Sequence, residues 1–105
     1  MLNNLVIAIK MMNLKTNTIT LFVTKGCEAC NIAKNLLNTA IEKSKKSIEL
    51  EVYDITDDKP LSNIAKLYLI DDFPTAIFIK NGMVVHKVIG TSTVDELVKD
   101  INEIF

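Results

Sequence analysis

The chain has 105 residues, of which 49% are hydrophobic and 24% charged, a composition typical of one globular domain and not of a disordered chain. Twelve basic against thirteen acidic residues give a net charge of −1, which argues against a nucleic-acid partner bound through bulk positive charge. No apolar run approaches the roughly 18 residues of a membrane-spanning helix, and the first residues lack the pattern of a secretory signal. We therefore expect a cytoplasmic protein that binds neither nucleic acid nor membrane.

The first half of the chain alternates strand and helix patterns. Residues 1–17 fit no clear element, so we expect an N-terminal extension of uncertain structure followed by one domain at residues 18–105. Residues 18–24 are rich in β-formers and apolar on both faces, which is typical of a central strand. A helix is predicted over residues 27–44, because apolar residues recur at three- and four-residue spacing. That stripe consists of Ala29, Ile32, Ala33, Leu36, Leu37, Ala40 and Ile41.

The next stretch predicts an edge strand and a second helix. Residues 48–55 alternate, with Ile48, Leu50 and Val52 on one face and charged residues with Tyr53 on the other, which favours an edge strand. Pro60 then suits the first turn of a helix. The apolar stripe expected for this helix is Leu61, Ile64, Leu67 and Tyr68, and Asp71 with Asp72 is expected to end it.

The last third predicts a hairpin and a final helix. Residues 74–80 are apolar on both faces, which indicates a second central strand that starts at Pro74, a position where a strand tolerates proline. Asn81-Gly82 is a strong hairpin signal, so residues 83–89 should return antiparallel. Thr93 and Glu96 have the spacing of a capping box. The helix after it has an apolar face of Val94, Leu97, Val98, Ile101, Ile104 and Phe105.

The predicted element order is β-α-β-α-β-β-α. A crossover helix makes strands one and two parallel, and the hairpin makes strands three and four antiparallel. Two strands have the pattern of central strands and two that of edges. The arrangement that satisfies these constraints is an α/β fold with a four-stranded mixed sheet of order 2-1-3-4, flanked by helices on both faces.

The chain has two cysteines, Cys27 and Cys30, which form one C-x-x-C where the first strand gives way to the helix. A disulfide that closes so short a loop would stabilise the fold little, and a reducing compartment does not favour a structural disulfide. Three interpretations of the pair remain: redox chemistry, metal binding, and two buried thiols that have no function. Partial positive charge at a helix N-terminus, with Lys25 nearby, would stabilise a thiolate at Cys27. Cys30 lies one turn deeper on the same side, where it can attack a mixed disulfide on Cys27.

Glu28 separates the two cysteines and carries a charge of the wrong sign for a thiolate. Its carboxylate should raise the free energy of the thiolate and offset part of the helix effect. Since a less stable thiolate makes a dithiol a better reductant, we predict a reducing couple and not a strong oxidant.

Three segments together resemble the thioredoxin superfamily: LFVTKGCEACNIAKNLL, then DFPTAIFIKNG, then a strand that ends at Gly90 before a capped helix. The resemblance covers residues 18–105 and implies a thioredoxin-like thiol–disulfide oxidoreductase in cell redox homeostasis and electron transport. It implies no bound cofactor beyond the redox-active Cys27–Cys30 pair. It further implies a cis Pro74 facing the cysteines, with Phe73 and Thr75 offering backbone to an extended substrate.

The resemblance also implies partners, namely protein disulfides as substrates and a reductase or glutathione as electron donor. We expect a monomer, with an apolar rim around the site formed by Gly26, Ala29, Phe73 and Gly90. Substrate contacts are thus assigned to Gly26, Phe73, Pro74 and Thr75, and modulation of the cysteines to Lys25 and Glu28.

The chain departs from the family pattern at several positions. Thioredoxins have tryptophan at the position of Gly26 and Gly-Pro between the cysteines, and their buried acid six residues ahead of the first cysteine is replaced by Leu21. Proton transfer to the buried thiol of Cys30 must then come from water or another group. Glutaredoxins carry C-P-Y-C and a Gly-Gly near the last helix, whereas here Gly90 is followed by Thr91.

Two other functions compete with disulfide exchange. A copper(I) carrier also places C-x-x-C between a strand and a helix, and thiolates favour Cu(I), but such domains follow that helix with two strands. Structural zinc needs four ligands, and beyond the cysteines the chain offers only His86, expected as a partly exposed edge residue, so we predict no metal site. The other competitor is a redox-silent interaction module with the same fold.

Overall fold

The computed structural model describes residues 17–56 and 65–105. Its elements are β1 (Asn17–Val23), α1 (Glu28–Ser44), β2 (Ile48–Asp54), a helical stretch at residues 65–67, β3 (Thr75–Lys80), β4 (Met83–Ile89) and α2 (Val94–Ile104). Of the predicted extension over residues 1–17, residues 1–16 lie outside the described residues, and Asn17 is the first residue of β1. The predicted helix start at Pro60, with Leu61 and Ile64, also lies outside the described residues. The domain boundary at residue 18 therefore stays a prediction.

The sheet has four strands in the order β2-β1-β3-β4, which confirms the predicted fold. β1 pairs parallel with β2 and antiparallel with β3, and β3 pairs antiparallel with β4. The two central strands are those whose sequences are apolar on both faces. Ile19 and Leu21 on one face of β1 and Phe22 on the other are all buried, which only a strand covered on both sides allows.

One hydrophobic core lies on each face of the sheet. The larger one joins β1 and β3 to α1 and α2 through Ile19, Leu21, Ala33, Leu37, Ala40, Ala76, Phe78, Leu97 and Ile101. The smaller one, on the opposite face, consists of Phe22, Ala65, Ile70 and Ile77 with the half-buried Tyr53, Ile55, Phe73 and Ile79 around it. Because both faces are packed, the end of β1 is held in a defined place.

Two predicted faces need correction. The buried stripe of α1 is Cys30, Ala33, Leu37 and Ala40, whereas Ala29 is exposed and Ile32 is 50% exposed. Ile32 lies about 100° around the helix from Ala33, on the flank of the stripe. On β2, Ile48 and Leu50 pack against the larger core as predicted, but Val52 on the same side is exposed at the end of this edge strand.

The predicted stripe of the second helix is wrong at Leu67, which is 75% exposed, and at Tyr68, which is 37% exposed. Leu69 adopts a left-handed conformation (φ 58°) that ends the helix before the predicted Asp71. The N–H of Leu69 donates to the carbonyl of Lys66 (3.1 Å), and the N–H of Ile70 donates to that of Ala65 (2.8 Å). These two bonds form a Schellman motif, which turns the chain so that Ile70 enters the smaller core in place of Leu67.

The turn predicted for the last third is confirmed, and of the predicted capping box the structure shows the bond to the Thr93 hydroxyl. Asn81 (φ 54°) and Gly82 (φ 80°) both have positive φ, as a type I′ hairpin requires. The hydroxyl of Thr93 caps α2 by accepting from the N–H of Glu96 (3.1 Å). The carboxylate of Glu96 accepts a hydrogen bond from the hydroxyl of Ser92 (2.9 Å).

Replacing Leu69 by glycine should stabilise the protein, because Leu69 is 75% exposed and holds a φ that favours glycine. The left-handed conformation costs a non-glycine residue roughly 1–2 kcal/mol. Part of that gain, about 0.5–1 kcal/mol, is lost to the greater chain entropy of glycine. We expect the free energy of unfolding in urea to rise by about 0.5–1 kcal/mol.

The matched control for this prediction is Leu67→Gly, which replaces an equally exposed leucine that is still helical. It should lower the free energy of unfolding by about 1 kcal/mol, the helix-propensity cost of glycine. A decrease in both variants would contradict the assignment of strain to Leu69.

Candidate active site

The loop that follows β1 is tied to the residues that follow β2. The carbonyl of Val23 accepts a hydrogen bond from the N–H of Ile55 (3.0 Å). The hydroxyl of Thr56 accepts from the N–H of Lys25 (2.7 Å) and shares a hydrogen bond with the hydroxyl of Thr24 (3.0 Å). These contacts hold the backbone just before the cysteine pair, at the edge where two parallel strands end.

Cys27 is the N-cap of α1. Gly26 (φ 71°) turns the chain out of the loop, and Cys27 then takes an extended conformation (φ −91°, ψ 99°) as helices require of their cap. The sulfur of Cys27 accepts a hydrogen bond from the N–H of Cys30 (3.0 Å). In the reduced protein this donor and the helix dipole would both favour the thiolate at Cys27.

The two cysteines form a disulfide, with their Cα atoms 5.2 Å apart. Cys27 is half-buried, whereas Cys30 is 3% exposed and faces the core side of α1. The exposed Glu28 lies in the first turn between them. The pair predicted for redox chemistry therefore lies close enough to bond, with one sulfur outward and one inward.

The Pro74 loop lies at the same edge of the sheet. The Phe73–Pro74 peptide bond is cis, as the family resemblance implied. Phe22 pairs with Thr75 in the antiparallel register, so the residues before Thr75 run beside those that follow β1. The buried Thr75 donates its hydroxyl hydrogen to the carbonyl of Asp72 (2.7 Å), and the N–H of Gly90 donates to the carbonyl of Pro74 (2.8 Å).

The predicted apolar rim is only partly exposed. Gly26 and Ala29 are exposed, whereas Gly90 is half-buried and Phe73 packs against the smaller core. Pro74 itself is buried. Contacts of Gly26, Phe73, Pro74 and Thr75 with a substrate stay predictions.

A groove of about 470 Å³ opens beside the disulfide on the β2 side, away from Pro74. Its lining includes both cysteines and Lys25, Glu28, Asn31, Lys34, Val52 and Asp54. Three of these residues, Asn31, Lys34 and Asp54, were not predicted as site residues from the sequence. A signal was present, because the carboxyl ends of parallel β1 and β2 meet at one edge of the sheet and Lys34 is four residues after Cys30 on α1.

Asp54 stays ionised at neutral pH. The backbone N–H of Thr56 donates to its carboxylate (2.9 Å) and, with the side chain of Thr56, holds the pKa of Asp54 below its ordinary value. Desolvation opposes this shift, and the positive charge of Lys25 adds to it. Asp54 therefore contributes a negative charge to the groove and no proton.

The described part of the chain contains neither a metal-ligating cluster nor a membrane-spanning helix. Within residues 17–56 and 65–105, no three side chains of the metal-ligating types His, Cys, Asp and Glu come together. No helix there combines the length and the apolar character needed to cross a bilayer.

The sequence matches the family model for thioredoxin over residues 8–103. No curated protein sequence is significantly similar to the chain. Among solved structures, a Schistosoma mansoni thioredoxin pre-protein is 25% identical, with a TM-score of 0.72 over 95% of this chain and 90% of that one. Thioredoxin O2 of Arabidopsis thaliana is 19% identical, with a TM-score of 0.73 over 89% and 78% of the two chains. Thioredoxin of Aeropyrum pernix is 20% identical, with a TM-score of 0.69 over 93% and 82%.

Removing the charge of Glu28 should stabilise the Cys27 thiolate. In Glu28→Gln we expect the pH of half-maximal alkylation of Cys27 by iodoacetamide to fall by roughly half a unit, since a nearby carboxylate opposes the thiolate. The reduction potential should become less negative, because the reduced form is stabilised. Glu42→Gln, near the other end of α1, is the matched control and should leave both values unchanged. A rise in the alkylation pH in Glu28→Gln would contradict the assigned role.

Proposed function

We propose that this chain, which belongs to the thioredoxin family, reduces disulfides of other proteins by thiol–disulfide exchange. The observation that carries this proposal is the bonded Cys27–Cys30 pair, with Cys27 as the cap of α1. The family and the pair together support thiol–disulfide oxidoreductase chemistry in general. Reduction of protein disulfides, as opposed to their formation, is supported by the carboxylate of Glu28 between the cysteines.

The exchange proceeds in two steps. The Cys27 thiolate attacks one sulfur of the substrate disulfide, the substrate's S–S bond breaks, and its leaving sulfur takes up a proton. Cys30, as a thiolate, then attacks the sulfur of Cys27, forms the Cys27–Cys30 bond and releases the second substrate sulfur. The substrate gains two electrons and the protein loses two. Cys27 acts first because it is the more exposed sulfur and is stabilised as a thiolate by the N–H of Cys30.

The substrate chain is proposed to lie along Gly26 and the Pro74 loop. The register of β1 and β3 supports this, since it brings residues 72–74 to the edge that carries the cysteines. Phe73 and Thr75 would offer backbone groups to an extended peptide, while Lys25 and Glu28 set the charge beside the reacting sulfur. The oxidised protein would regain its two electrons from a reductase or from glutathione. We place this cycle in the cytoplasm, in a monomer without a bound cofactor or metal.

Trapping experiments test the two cysteine roles. Cys30→Ser should accumulate a covalent complex with disulfide-containing substrates such as insulin, because the mixed disulfide on Cys27 is no longer resolved. Cys27→Ser should trap nothing, and both variants should lose insulin-disulfide reduction. The measurement is non-reducing gel electrophoresis with mass spectrometry of the complex. Trapping by Cys27→Ser in place of Cys30→Ser would reverse the roles.

The parent protein distinguishes the competing functions. The protein should catalyse insulin reduction when dithiothreitol alone supplies the electrons. Two further assays, one with thioredoxin reductase and one with glutathione and its reductase, then identify the electron donor. Stoichiometric Cu(I) binding without disulfide reduction would instead make the protein a metal carrier. Undiminished partner binding by Cys27→Ser, with an inactive parent, would make it an interaction module.

A further inference from the structure

Cys30 has to lose a proton before it can resolve a mixed disulfide, since only a thiolate attacks. Cys30 is 3% exposed and lies on the buried stripe of α1. On the sheet side, Val52 of β2 lines the same groove as Cys30, and its register partner on β1 is Leu21, which is 1% exposed. Neither of these two side chains can accept a proton, so the positions of Leu21 and Val52 provide no acid or base for this step.

The groove on the β2 side is the open space that reaches both cysteines. Cys30, Val52 and Lys34 all line it, and the exposed Lys34 and Val52 lie on its outer part. Water that enters along this groove reaches the residue whose proton must leave. The route lies on the opposite side of the disulfide from the Pro74 loop, so a bound substrate would not close it.

The charged groups of the groove differ in the sign of their charge and in whether another group already engages them. Lys25 and Glu28 come from the loop and first turn, Lys34 from α1, and Asp54 from β2. Asp54 is ionised and hydrogen-bonded to Thr56, and the charge of Lys25 acts on it. Lys34 is one turn beyond Cys30 on the same helix, and no ion pair engages it within the described residues.

We propose that this groove is the proton route for Cys30 and that the ammonium group of Lys34 stabilises the Cys30 thiolate during resolution. This rests on the proposed function. The proton of the Cys30 thiol passes to water in the groove, and the Cys30 sulfur keeps the electron pair with which it attacks Cys27. The Cys27–substrate bond breaks as the Cys27–Cys30 bond forms, and the released substrate sulfur takes up a proton from solvent. Positive charge on Lys34 lowers the free energy of the intermediate thiolate.

A two-phase reaction separates the roles of the two cysteines. The fully reduced protein is mixed with dithionitrobenzoate in stopped flow. The first release of thionitrobenzoate reports attack by Cys27, and the second reports resolution by Cys30. Both rates are measured against pH in the parent, Lys34→Met, Lys34→Arg and Lys43→Met, where Lys43 is an exposed lysine in the last turn of α1.

Lys34→Met should move the pH midpoint of the second phase upward by about half a unit, which slows it about threefold below the midpoint, since it removes a charge of the favourable sign. The first phase should shift less. Lys34→Arg should retain the parent profile, and Lys43→Met should match the parent in both phases. Asp54→Asn should shift the second phase in the opposite direction, because it removes the negative charge of the groove.

Three results would overturn the proposal. In the first, the pH profile of the second phase in Lys34→Met is the same as in the parent. In the second, Lys34→Arg slows the second phase as much as Lys34→Met does. In the third, Lys34→Met shifts the pH midpoints of both phases equally. Failure of the proposed function looks different. In that case the parent itself would show no second phase and would reduce no insulin.

Discussion

The burial of β1 on both faces is the constraint from which the site follows. Ile19 and Leu21 pack under the two long helices and Phe22 packs on the opposite side, so the strand cannot shift or rotate without opening a core. The hydrogen bond between Val23 and Ile55 extends that constraint to the last residue of the strand. The next residues therefore leave the sheet at a defined point, and Cys27 is placed as the cap of α1.

The active edge has two sides with different character. On the β3 side lies the loop of Phe73 and Pro74, whose backbone is fixed by Thr75 and Gly90. On the β2 side lies a groove lined by charged and polar groups. The disulfide lies between them, and under the proposed function a substrate chain on the Pro74 side would leave the groove open. Since neither Leu21 nor Val52 can accept a proton, the proposed proton route of Cys30 runs through this groove.

Much of the fold could be predicted from local signals. Asn81-Gly82 specified its turn because few other pairs take positive φ at both positions, and Thr93 specified the start of α2 through its own hydroxyl. The helical stripe failed at Ile32 and Leu67, because periodicity does not reveal where a neighbouring element stops. Leu69 carries no sequence signal of a helix end, since a glycine is what such a position favours.

The site shows the same division between local and distant signals. The cysteine pair is local, so the proximity of its two sulfurs was predicted, and the family resemblance supplied the cis bond before Pro74. The groove was not predicted, because it joins Lys34 on α1 with Val52 and Asp54 on β2, whose proximity depends on how the helix lies over the edge strand. The ionised state of Asp54 depends likewise on a hydrogen bond from Thr56 made in the folded chain.

The central claim is that Cys27 and Cys30 cycle reversibly between dithiol and disulfide as a reducing couple. The most direct measurement is an equilibrium redox titration of the purified protein in dithiothreitol buffers, with the oxidised fraction followed by thiol alkylation and mass spectrometry. We predict one reversible two-electron transition, nearer to the potential of about −270 mV typical of thioredoxin than to the about −120 mV of a strong oxidant. A midpoint near the latter value, or a pair that does not re-form its bond, would contradict the claim.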